Sequence, residues 1–133
     1  MELLVIGRNG VSIVEDVPGG KCYMDGSGGI TANVANATLT PQSTTRQTDD
    51  GAAADVTLIL PPANQGGTFE FCNLSGHTFK QIASGTDKIF LGQSQPAGGS
   101  HVYSSEVNAV WRLFVFKPGQ WHVISHEGEV SIG

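Results

Sequence analysis

Four histidines, two cysteines and a scatter of aspartates are the side chains here with the means to do chemistry. His122 and His126 stand in an H-x-x-x-H spacing. On a helix, positions i and i+4 converge and can share a metal ion. On a strand they also share a face, but at roughly 3.3 Å per residue they lie about 13 Å apart, too far for one ion. Their neighbours, Trp121, Val123 and Ile124, read as strand, so no metal site is expected. Cys22 and Cys72 belong to no C-x-x-C motif and read as reduced packing residues. Asp16, Asp25, Asp49, Asp50 and Asp55 lack the D-x-D-x-D-G order of a calcium loop and read as solvated loop carboxylates. Asp25-Gly26-Ser27-Gly28-Gly29 misses the G-x-S-x-G spacing of a nucleophile elbow, and no strand leads through it into a helix. The same context argues against a phosphate cradle. Asn36-Ala37-Thr38 and Asn73-Leu74-Ser75 are glycosylation sequons, which matter only in an exported chain. No catalytic constellation emerges, and neither an enzyme nor a cofactor is expected.

The elements that position these residues follow from composition and punctuation. A chain of 133 residues is long enough for one good core. Charged residues make up 14%, well below the roughly 25% of an average soluble domain, and there are 18 glycines. The net charge of −5, with seven scattered Lys and Arg, argues against nucleic-acid binding, which needs a basic patch. No apolar run reaches the roughly 18 residues of a membrane span. The opening Met1-Glu2-Leu3-Leu4 lacks the basic start and long apolar run of a signal peptide, so synthesis in a cytoplasm without export is expected.

Gly and Pro interrupt the chain too often for helices, and the runs between them are β-branched and aromatic. Leu3–Ile6 and Val11–Val14 flank Asn9-Gly10 and predict an opening hairpin. From Val56 onward strands are predicted at Val56–Leu60, Thr68–Cys72, Thr78–Ala83, Lys88–Leu91, His101–Ser104, Ala109–Lys117, Trp121–His126 and Glu129–Ile132. Phe69, Phe71, Trp111, Phe114 and Trp121 are the expected core. Val110–Phe116 is apolar on both faces apart from Arg112, which predicts a central strand covered on both sides. Between Thr38 and Asp50 there are five threonines and almost no apolar side chains. That segment cannot bury enough surface to fold alone, so a partner is expected to order it.

Val56 to Ile124 resembles a pattern recurrent in bacteriophage virion proteins, among them head decoration proteins, head fibres and tail-fibre domains. It is carried by Leu60-Pro61, Gly66-Gly67-Thr68-Phe69, Asn73-Leu74-Ser75-Gly76, Ile82 to Ile89, Gly99-Ser100 and Gly119 to Ile124. The resemblance spans just over half the chain and implies a β-sandwich, often trimeric, with a structural or adhesive role. The expected fold is therefore all-β, an antiparallel jelly-roll-like sandwich at 56–133, preceded by a hairpin and extended attachment segment at 1–55. The expected function is a capsid decoration (cement) protein, made in the host cytoplasm and bound to the outside of the head shell. Its partners would be the major capsid protein and copies of itself, as a homotrimer, with no nucleic acid and no membrane. The attachment residues would be Thr31, Asn33, Asn36, Thr38, Thr40, Gln42 and Arg46. The competing expectation is a carbohydrate-adhesive tail-fibre tip.

Overall fold

The computed structural model describes residues 29–64 and 66–133. The predicted hairpin at Leu3–Val14, Asp16, Cys22 and Asp25 lie outside the described residues. Among those described there is no helix. The strands are β1 (Ile30–Ala32), β2 (Ala37–Thr38), β3 (Arg46–Thr48), β4 (Val56–Ile59), β5 (Thr68–Cys72), β6 (Phe79–Ile82), β7 (Lys88–Leu91), β8 (His101–Ser104), β9 (Val110–Lys117), β10 (Gln120–Glu127) and β11 (Ser131–Ile132). They form a six-stranded sheet, β1-β3-β5-β9-β10-β7, and a five-stranded sheet, β11-β8-β6-β4-β2, packed as a sandwich.

From β1 to β9 each strand hands the chain to the opposite sheet, and as far as β6 the strands two apart in sequence run side by side in the same direction, whereas β6 and β8 pair antiparallel. Hence β1, β3 and β5 are parallel neighbours in one sheet, and β2, β4 and β6 in the other. The expectation of antiparallel sheets is thereby corrected: both are mixed. Packed sheets lie roughly 10 Å apart, within reach of the short connections that also make hairpins, so punctuation alone does not separate the two paths. The one tight hairpin among the described strands joins β9 to β10 through Pro118-Gly119. Proline presets the first turn position, and Gly119 supplies the positive φ of 84° required at the second.

The polar segment before Val56 is part of both sheets. β1 and β3 extend the six-stranded sheet, β2 the five-stranded one, and so both sheets cross residue 55. The expectation that a partner orders Thr38–Asp50 is corrected accordingly. Its backbone is satisfied by pairing with β4 and β5, and Leu39, Gln47, Thr48 and Asp49 are buried.

Alternation then builds the core. In β5, Phe69 and Phe71 point inward while Thr68, Glu70 and Cys72 are half-exposed. Trp111, Leu113 and Val115 of β9 are buried beside them. Phe71 stacks on Trp111 at 6.0 Å between ring centroids, and Phe79 from the opposite sheet meets both edge-on, at 6.0 and 5.9 Å. The Trp111 indole N–H donates to Gln81 Oε1 at 2.7 Å, which satisfies the amide oxygen of this central polar residue, while its Nε2 has no partner among the described residues. Trp121 packs on Phe69 at 5.8 Å and is buried, as expected. Phe114 is the exception: it is 38% exposed, and Phe116 is 64% exposed. The strand is central in its sheet, but among the described residues only one of its faces is covered.

Candidate functional site

The histidines do not converge. Two register shifts break the β9–β10 ladder, and the second makes Ile124 an extra residue between Val123 and Ser125. His122 therefore sits opposite Phe114 on the outer face, whereas His126 sits opposite the inward-facing Trp111. The expectation that the two share a face is corrected by this bulge, which inverts the alternation. His77 is exposed in a turn. His101 lies against Tyr103 at 5.5 Å, its pKa pushed below the usual imidazole value by burial and by the charge of Lys80. No group of three potential metal ligands occurs among the described residues. The half-buried Cys72 thiol is raised above its ordinary pKa by burial and by Asp49, the reverse of what a nucleophile requires.

Most of the buried polar side chains hold loops together. Asp49 is fully buried rather than solvated: one carboxylate oxygen accepts from the Leu74 and Ser75 backbone N–H groups at 2.6 and 3.1 Å, the other from Ser75 Oγ. Asn73 Nδ2 donates to the carbonyls of His77 and Ser104, and its Oδ1 accepts from Gly76. Asp87 Oδ2 accepts from the Ala63 N–H at 2.8 Å and so ties the 84–87 turn to the segment after β4.

The attachment candidates spread over three places. Thr31 is half-buried with its hydroxyl on that of Thr44, and Asn33 is buried, donating to Gln47 Oε1 and the Thr48 carbonyl. Asn36, Thr38, Thr40 and Gln42 are exposed on and beside β2, where Asn36 Oδ1 accepts from the Thr57 N–H. Arg46 is exposed on the outer face of the six-stranded sheet, far across the sandwich from β2.

That outer face is the most organised surface of the molecule. Three cross-strand rows organise it, beside a further row of Thr48, Cys72, Val110 and Glu127. In the first, Arg46, Glu70, Arg112 and Ser125 are successive ladder partners. Glu70 is held from both sides, by Arg46 Nε at 3.1 Å and Arg112 Nε at 2.7 Å, and Arg112 also donates to Ser125 Oγ. In the second row Thr68, Phe114, His122 and Phe90 are partners. The third is Lys117, Gln120 and Lys88. Alternate residues of a strand are about 6.7 Å apart, so the aromatic row runs between two cationic ones. The first register shift leaves Phe116 without a partner and turns it out beside the aromatic row, 6.1 Å from Phe114 and 5.8 Å from His122. Phe90 and His122 stack at 5.0 Å with an interplanar angle of 11°. One face of each ring is thus turned to the other.

A depression of about 260 Å³ lies beyond the Arg46–Glu70–Arg112 row, with Ile30, Cys72, Leu74 and Val110 in its walls. Phe116 could not be found from alternation alone, because the bulge that turns it out is set by pairing.

The Arg112 guanidinium, supported by Arg46, holds the Glu70 carboxyl below its ordinary range against a smaller opposing effect of burial. The stability this contributes is complete above the ordinary carboxylate pKa and is lost as pH falls through the lower folded value. Glu70→Gln is expected to cost about 1 kcal/mol at neutral pH. Urea unfolding of the two proteins should converge toward low pH; a difference that persists unchanged there would contradict the assignment.

No family model matches the chain, and no curated protein matches it.

Proposed function

We propose that this chain is a non-enzymatic virion structural protein that decorates the outside of a bacteriophage head shell. The observation that carries the reading is the aromatic row of β7, β9 and β10, with Phe114 and Phe116 open to solvent on a mixed-sheet sandwich. Large exposed apolar side chains gathered in one place mark a contact surface. In this reading the outer face of the six-stranded sheet lies against the major capsid protein, and copies assemble as a trimer at local threefold positions. The resemblance of Val56–Ile124 to phage virion proteins supports the setting. Phe90 and His122 each turn one face to the other, which leaves less ring face for the sugar stacking that a tail-fibre tip would use and favours a protein surface.

The test uses phage particles lacking the protein, incubated with purified wild type or Phe116→Asp. Wild type should saturate expanded shells, and the variant should bind at least about tenfold more weakly, a loss of about 1.4 kcal/mol. Binding confined to tails, or equal shell binding by the variant, would overturn the reading.

A further inference from the structure

We infer that the outer face of the six-stranded sheet recognises an acidic protein segment with apolar anchors, seated on the aromatic row with carboxylates to either side. This rests on the reading of that face as a protein contact, and names the chemistry of the partner. The chain is acidic, with a net charge of −5, yet its cations are segregated. Among the described residues Arg46, Arg112, Lys88 and Lys117 all fall in the two rows that border the aromatic one, while Lys80 lies in the other sheet. Glu70 is the only carboxylate within those rows, and it already serves both arginines. Over these three rows the face is thus apolar along its middle and positive along both sides, with Glu127 in the next row beyond the arginines.

A second copy meeting the same face would set lysines against lysines, which costs rather than stabilises. An apolar side chain lying over Phe114 and Phe116 with a carboxylate about 6.7 Å to either side meets all three rows.

The experiment selects random dodecapeptides on the immobilised full-length protein, then measures their affinity for wild type, Phe116→Asp and a Lys88→Glu/Lys117→Glu double variant, each checked for native circular dichroism. Selected peptides are expected to carry Asp or Glu flanking aromatic or aliphatic residues. Their affinity should fall about tenfold or more with the double variant and again with added salt. Peptides without acidic residues, or indifferent to the lysine reversal while still sensitive to Phe116→Asp, would overturn the acidic partner and leave the docking face standing. Indifference to both variants, or no selection, would overturn the docking face as well. Phosphatidylglycerol vesicles and duplex DNA serve as alternative anions, and lysine-dependent binding to either as tight as to the peptides would overturn the inference. So would a dimer in sedimentation that Phe116→Asp abolishes, or displacement of the peptides by a synthetic copy of residues 2–16.

Discussion

Trp121→Ala is expected to lower the unfolding free energy by about 3–5 kcal/mol. The indole is 1% exposed, lies 5.8 Å from Phe69 between ring centroids, and closes over Gly67. A Cβ on Gly67 would come within 3.2 Å of the indole and 3.3 Å of Val115, so the backbone there is moulded to this ring. Removing the ring leaves a void that neither Gly67 nor Val115 can fill. The smaller change Trp121→Phe should cost distinctly less, because the buried indole N–H has no acceptor among the described residues and its loss removes an unmet desolvation cost. Urea unfolding of the three proteins measures this order. Equal stability of wild type and the alanine variant would place Trp121 outside the core.

The second large effect is expected at Asp49. Replacing it with alanine removes the acceptors of two backbone N–H groups and of the Ser75 hydroxyl in a partly buried turn, at a cost of about 2 kcal/mol. Asp49→Asn retains one acceptor and should fall between alanine and wild type. Amide hydrogen exchange at Leu74 and Ser75 provides a local readout. Protection there should collapse in the alanine variant before that of β9 changes; unchanged protection would show that the turn holds itself.

From β4 onward the strands stand within a residue or two of where their residues predict them, and for a physical reason. All but the two-residue β11 run four residues or more, with glycine or proline in most of the connections between them, and alternation selected Phe69, Phe71, Trp111 and Trp121 correctly as core. Phe114 failed the same test because a strand apolar on both faces gives alternation nothing to work on. β1, β2 and β3 were missed because their inward residues are Thr31, Gln47 and Asp49's neighbours rather than aliphatic side chains. Asp49 itself reads as a loop carboxylate until the 73–76 turn is folded against it, and Asn33 reads as an attachment residue until Gln47 is seen to accept its amide hydrogen.

The candidate site was less legible still. Arg46, Glu70 and Arg112 are 24 and 42 residues apart, and only parallel and antiparallel ladders bring them into one row. His122 and His126 show the same dependence in reverse, separated to opposite faces by a single extra residue.

By itself, then, the sequence determined where this chain makes strands from β4 onward and that Phe69, Phe71, Trp111 and Trp121 are buried, since both depend on local spacing. The direction in which the strands run, the burial of Asp49 and the aromatic row between two cationic ones were decided only by the tertiary structure. Handing the chain between sheets sets neighbours that no local pattern encodes, and one bulged residue changes the face on which every later side chain stands.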